Sequence, residues 1–362
     1  MKSRINIIAS ILACLAVIAI GSFVIVAQSS IKGTWTANDN DWSSRKDKEK
    51  DIYLNFRYEK SKEGKRHNSS HGSTFMFSDL DGLTRAQTEG ANSTVNFRLI
   101  REAGTLQCDG VFRNGKGIGE FIFTPNSGYS NTMKGMGFEL SDTKMFSAAM
   151  LDLRVSDVND LRSAGFQNLT VSDLFKAKIF KVNSAYKQEM AGAGFPNLTM
   201  QELVKARIFK VDSNFVKTAY DMGVAKDSFG EIVKLRIHKV SPEYLKGMRA
   251  AGFSDLTASQ AVKLRIFKID PEFINEMKGL GFSDLSVSDA TKLRIHKVTP
   301  AFVKEMRELG YSNLSVSEAT RLRIFKIDGD FVKRAQEQSN KKLTVRDLVN
   351  MKIHRRVTKR VT

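Results

Sequence analysis

The stretch from 281 to 310, GFSDLSVSDATKLRIHKVTPAFVKEMRELG, decides the fold. It opens and closes on glycine, and that glycine recurs every 29 residues at Gly165, Gly194, Gly223, Gly252, Gly281 and Gly310. A fixed period of this size means an array of similar supersecondary units. Within the stretch, Thr299 is a suitable helix N-cap, and Pro300 suits the first helical position, where no amide hydrogen is needed. Phe302, Val303, Met306 and Leu309 follow at helical spacing, and Gly310 stops the helix by accepting left-handed backbone. Tyr311 then acts as an apolar plug, as do Phe166, Phe195, Phe253 and Phe282 in the other units. Ser241-Pro242 and Asp270-Pro271 start the equivalent helices.

A second helix in each unit opens with a capping box, Ser315 with Glu318. Its counterparts are Thr170 with Asp173, Thr199 with Glu202, Ser228 with Glu231, Thr257 with Gln260, Ser286 with Asp289 and Thr344 with Asp347. Leu322, Ile324 and Ile327 are expected to supply apolar contacts before the next unit begins. Helices of roughly ten residues are too short to be stable alone, so neighbouring units must stack into an α-solenoid. The array is assigned to residues 127–355, about seven units. A degenerate first unit starts near Ser127, with Gly137-Phe138 in the glycine-plug position. Gln338 and Ser339 give the last unit the polar drift of a cap, and 356–362 is a basic tail.

Before the array, from about 31 to 127, the periodicity is close to two. Ile52, Leu54 and Phe56 alternate with Tyr53, Asn55 and Arg57, as in a half-buried strand. Ser73 to Phe77, Thr94 to Ile100, Thr105 to Phe112 and Ile118 to Thr124 are further strands, the last two forming a hairpin across Asn114-Gly115-Lys116-Gly117. The expected β domain, 28–126, is a small antiparallel sandwich or barrel of roughly five to seven strands. The chain is therefore α+β and multidomain. Asn38 to Asp51 and Glu59 to Gly72 read as exposed loops. The second places His67 and His71 in solvent, where Asn68-Ser69-Ser70 and Gly72 oppose the helix that would align them on a metal.

Residues 1–27 read as an export signal: Lys2 and Arg4 precede an apolar run from Ile5 to Val26, with cleavage expected between Ala27 and Gln28. The run is also long enough, at roughly 20 residues, to remain as a membrane anchor. Either way the rest of the chain faces away from the cytoplasm, in the periplasm. Cys108 is then the one cysteine of the mature chain, so no internal disulfide forms.

The pattern Gly281-Phe282, Asp284-Leu285-Ser286 and Leu293-Arg294-Ile295-His296-Lys297-Val298 resembles bacterial envelope helical-repeat proteins. It is similar to the extracytoplasmic repeat regions of β-lactam-sensor-like membrane metallopeptidases. The resemblance covers about residues 127 to 355 and implies an envelope location with a sensing or interaction role. The chain has no His-Glu-x-x-His motif and no multi-span membrane region, so the peptidase activity is not carried over.

The chain carries a formal net charge of +18, much of it in three rows of the array. The first is Lys176, Lys205, Lys234, Lys263, Lys292 and Arg321; the second is Lys178, Arg207, Arg236, Arg265, Arg294, Arg323 and Lys352. The third is Lys181, Lys210, Lys239, Lys268, Lys297, Lys326 and Arg355. Stacking turns each row into a basic ridge. Such ridges fit an anionic lipid, an anionic polysaccharide or an acidic protein. They also complement helix dipoles and keep an extended array soluble. Phe180, Phe209, His238, Phe267, His296, Phe325 and His354 occupy one further position, with histidines roughly 20 Å apart and so unable to share a metal.

No nucleophile elbow, phosphate-binding loop or zinc-protease motif is present, and no catalytic residue, metal site or cofactor is assigned. Export and the lack of a recognised motif argue against nucleic acid. The sequence thus points to a non-catalytic envelope protein whose array binds an unidentified protein partner. Direct binding of anionic polymer or lipid is the alternative, and hydrolysis of an envelope polymer is a third class without a visible catalytic cluster.

Overall fold

The structure, a computed structural model, describes residues 30–38, 51–62, 65–224 and 228–358. The export segment at 1–27, most of the first polar stretch and the last four residues of the basic tail lie outside the described residues. The chain is α+β and forms two compact units, Met1–Ser184 and Ala185–Thr362. The division falls inside the helical part, so the helices up to Ser184 belong to the unit that holds the sheet.

Seven strands form that sheet: β1 (Ile31–Asn38), β2 (Asp51–Lys62), β3 (Lys65–Met76), β4 (Leu80–Asp81), β5 (Ser93–Arg101), β6 (Gly104–Arg113) and β7 (Lys116–Pro125). Their order is β3-β2-β1-β7-β6-β5-β4, antiparallel throughout. The result is one curled sheet, an open half-barrel with β3 and β4 as its edges, where a sandwich or barrel was expected. Asn114 and Gly115, both at positive φ, turn β6 into β7 as the Gly-rich hairpin signal requires. Residues 59–62 and 65–72 are not loop: they pair within β2 and β3, with Phe56 opposite His71 and Arg57 opposite Ser70. An edge strand has one neighbour and little area to bury, so its polar sequence hides the alternation.

The helices follow in chain order. After the single short α1 (Arg85–Glu89), the first unit holds α2 (Ser127–Gly135), α3 (Asp142–Leu151), α4 (Val155–Ser163) and α5 (Val171–Phe180). A repeat-like helical array continues with α6 (Ser184–Gly192), α7 (Met200–Ile208), α8 (Ser213–Asp221), α9 (Phe229–Ile237), α10 (Pro242–Ala250) and α11 (Ala258–Ile266). It ends with α12 (Pro271–Gly279), α13 (Val287–Ile295), α14 (Pro300–Glu308), α15 (Val316–Ile324), α16 (Gly329–Glu337) and α17 (Val345–Thr358). Alternate helices touch, α9 on α11, α11 on α13 and α13 on α15, and on the other side α10 on α12 and α12 on α14. Among the described residues no helix is long and apolar enough to cross a membrane.

The concave face of the sheet is filled from both sides. Trp35 of β1 is fully buried against Phe97 and Phe112, with its indole N–H donating to the Asp109 carbonyl at 3.2 Å. It lies on a floor of Gly110, Gly117 and Gly119, where a Cβ would come within 2.6 to 2.7 Å of the indole ring. From the other side α3 inserts Phe146, also fully buried, whose ring meets Phe56, Tyr58, His71, Phe121 and Phe123 at centroid distances of 5.1 to 6.5 Å. His71 is therefore no solvated loop histidine. Burial, and to a lesser degree the nearby Lys144, hold its pKa below the usual imidazole value. Phe146 carries five aromatic contacts. Phe146→Ala is expected to cost about 3–5 kcal/mol, read as a large fall in the midpoint of chemical unfolding followed by near-UV circular dichroism.

Candidate binding face

The second helices, α7, α9, α11, α13, α15 and α17, begin at the capping residues that the sequence marks. Thr199, Thr257, Ser315 and Thr344 make reciprocal boxes with Glu202, Gln260, Glu318 and Asp347. Ser228 and Ser286 accept from Glu231 and Asp289 amides in the forward direction. Glu202, Glu318 and Asp347 are thereby committed to the backbone. Other acids join successive helices: Asp160 of α4 accepts from the Ser184 amide at 2.8 Å, and Glu189 of α6 accepts from the Ser213 amide at 3.0 Å. Acidic groups in the array thus serve helix starts, where the partial positive charge of the free amides favours them.

Basic row two is not an open ridge. Arg207 lies over the Tyr186 ring at 3.5 Å, Arg236 over Phe215 at 4.7 Å and Arg265 over Tyr244 at 4.8 Å. Arg294 over Phe273, Arg323 over Phe302 and Lys352 over Phe331 continue the series at 3.9, 5.1 and 4.2 Å. Each cation reaches from a second helix to the aromatic of the first helix before it. Arg236 and Arg265 also donate to the carbonyls of Phe209 and His238 at 3.3 Å, so they hold the end of the preceding second helix. In the first unit Lys178 instead pairs with Asp157 at 2.8 Å. The stacked tyrosines are anchored as well: Tyr186 donates to Val211 O and Tyr244 to Ile269 O. Burial pushes both hydroxyls up to about 12, against the opposing pull of Arg207 and Arg265.

Rows one and three lie in solvent. Lys176, Lys205, Lys234, Lys263, Lys292 and Arg321 are all exposed, and among the described residues only Lys292 of these forms an ion pair, to Asp289 at 3.6 Å. Lys181, Lys210, Lys239, Lys268, Lys297 and Lys326 are exposed too, and each has left-handed backbone with φ between 52° and 56°. They occupy the turn that ends each second helix: the Lys268 amide bonds Arg265 O at 3.0 Å and the Ile269 amide bonds Leu264 O at 2.9 Å. Glycine is the usual occupant of this position. The lysine was visible in the sequence as a helix-end cation, but its strained backbone was not.

Between the two exposed rows runs a third feature. Ile208, Ile237, Ile266, Ile295, Ile324 and Ile353 are 37% to 53% exposed. Ile324 was expected to contribute to the core with Leu322 and Ile327, which are indeed fully buried, yet Ile324 itself is 52% exposed. The helix geometry explains the difference: two residues past Leu322 is about 200° around the axis, on the opposite side. Beside each isoleucine up to Phe325 sits the half-exposed Phe209, His238, Phe267, His296 or Phe325 at the helix end. Between α9 and α11 the surface forms a groove of about 230 Å³ lined by Glu231, Lys234, His238, Val262 and Ile266. The second-helix face is thus an apolar stripe with a line of cations on either side.

Elsewhere, a depression of about 670 Å³ lies on the sheet, bordered by Lys32, Arg57, Glu59 and Asn68, and is open to solvent. Among the described residues no group of three or more His, Cys, Asp or Glu side chains is placed to hold a metal ion. Cys108 is fully buried, and desolvation raises its pKa well above that of an ordinary thiol.

Two consequences separate row two from row three. Arg265→Ala removes a stacked cation and a bond to His238, and is expected to cost about 1–2 kcal/mol in thermal unfolding. Arg265→Lys recovers only part of this, since ammonium lacks the planar stack. At Lys268, alanine keeps the left-handed strain and loses the charge, whereas glycine relieves the strain. K268A is expected to be less stable than K268G by about 1 kcal/mol, measured the same way. The sequence matches no protein-family model and no curated protein, so the reading of this face rests on its own chemistry.

Proposed function

We propose that this is a non-catalytic binding protein of the cell envelope, exported by its N-terminal segment. On this reading its 29-residue helix pairs form an α-solenoid that serves as an interaction platform, with the second-helix face as the contact surface. The exposed isoleucine row carries the proposal. Six large apolar side chains in register, each left about half in water, are stabilised once something covers them. Solubility and dipole compensation account for lysines at helix ends, but they give no reason for isoleucine between them.

The unequal charge of the two helix types supports the same surface. First helices are balanced: α12 sets Glu272 and Glu276 against Lys278, and α14 sets Lys304 and Arg307 against Glu305 and Glu308. Second helices are not: α7, α9, α13 and α15 each set two cations, followed by a lysine, against one acid, and α11 has Lys263, Arg265 and Lys268 with none. A general solubility requirement would spread its cations over both. A photo-crosslinking residue at position 266, in the cells that make the protein, is expected to give an adduct absent when the same residue replaces Glu276. No adduct at either position, with the chain folded and exported, would overturn the platform reading.

A further inference from the structure

We propose that the second-helix face of the array docks on an anionic phospholipid surface, the isoleucines entering the headgroup boundary and the flanking lysines meeting the phosphates. This rests on the reading that the array binds through that face, and it names the occupant.

Three observations favour lipid over a folded protein. The first is the choice of cation. Where the fold needs a planar group to stack on an aromatic ring it uses arginine, as at Arg265 and Arg294. Where the cation faces outward it uses lysine in nearly every case, as at Lys234, Lys263 and Lys268. Protein interfaces are enriched in arginine and depleted of lysine, whereas lysine beside exposed aliphatic and aromatic side chains is the composition of interfacial membrane segments. Long lysine stems lie along apolar surface while the ammonium reaches the headgroup level.

The second observation is sameness. The stripe offers isoleucine, then phenylalanine or histidine, then lysine, at every second helix from α7 to α15. A protein partner of fixed shape needs features that set one register, and this surface provides none along its length. A fluid lipid surface needs no register. The third is the fate of the acids. Glu202, Glu318 and Asp289 are held at capping positions at the helix starts, which leaves Glu231 as the carboxylate lining the groove beside Ile266. Little negative charge is left to repel an anionic surface.

The test uses the full chain carrying Cys14→Ser, since the buried Cys108 is out of reach of a thiol reagent. An environment-sensitive NBD label is attached at Ile266→Cys on α11 or, in a separate protein, at Glu276→Cys on α12. Both proteins share one N-terminus, so any attraction of residues 1–27 for lipid is common to them. With phosphatidylglycerol vesicles, the emission at 266 is expected to rise and shift to the blue. It is expected to stay unchanged at 276, and with phosphatidylcholine vesicles at both positions. Substituting Lys234, Lys239, Lys263 and Lys268 by glutamine is expected to weaken the response about 10- to 100-fold in apparent affinity. Equal responses at 266 and 276, or none at 266, would overturn the lipid proposal. A protein adduct at position 266 in cells, together with a silent vesicle experiment, would overturn it too while leaving the platform reading intact. Loss of both signals would sink both.

Discussion

A nine-residue helix does not hold its shape in water, and everything in the array depends on what its neighbours supply. Helices α7 to α16 all have this length. Three kinds of interaction compensate. Buried faces such as Leu235, Leu264 and Leu293 remove apolar area from water. Side-chain caps satisfy the amides at each start, and left-handed turns satisfy the carbonyls at each end. The third interaction is the arginine of row two, which joins a second helix to the aromatic of the first helix before it. At Arg236 and Arg265 it links three helices, as Arg265 does through Tyr244 and the His238 carbonyl. A guanidinium suits this place because it stacks with its face, and at Arg236 and Arg265 its edge also donates a hydrogen bond, whereas Nε of Arg207, Arg294 and Arg323 is buried without a partner among the described residues.

The helical part was legible because its signals are local and repeated. Thr199 with Glu202 or Ser315 with Glu318 can be read from spacing alone, and seven such pairs in register leave little freedom. Gly310 announces its own left-handed turn. The β part was legible where alternation is strong, as in Ile52, Leu54 and Phe56, and misread where an edge strand needs little apolar content. Ser73 onward reads as a strand, but no pattern in 65–72 distinguishes a strand with one neighbour from a loop. Phe146 could not be placed either, since nothing local says that a helix residue fills the hollow of a sheet.

The second-helix face was half legible. Three basic rows are plain in the sequence, but periodicity does not say which row turns outward. Leu264, Arg265 and Ile266 are consecutive, and the helix sends them in three directions about 100° apart: into the core, over a tyrosine ring and into solvent. Reading Ile324, the equivalent of Ile266 two units on, as core followed from its chemistry. Its true direction follows only once Leu322 is known to be buried. The signal was present in the Arg-Ile pair itself, repeated from Arg207-Ile208 to Arg323-Ile324.

The left-handed lysines bear on whether the face is chosen or incidental. A residue with a Cβ in this conformation costs about 1 kcal/mol, and a cation at a helix C-terminus returns about 0.3–1 kcal/mol. Those terms nearly cancel, so stability gives no strong reason for lysine over glycine there. Gly252, Gly281 and Gly310, at the matching turns of the first helices, sit at φ of 93° to 99°, deeper in the region that favours glycine than the lysine turns at 52° to 56°. Lys210, Lys239, Lys268, Lys297 and Lys326 thus hold a turn that tolerates a Cβ, and backbone geometry alone does not select their charge. At Asp152, the equivalent turn of the first unit, the same backbone carries an acid that pairs with Arg101 and Arg154 inside the molecule. One backbone conformation thus serves an internal ion pair there and an outward cation in the array, and the difference lies in which way the charge has work to do.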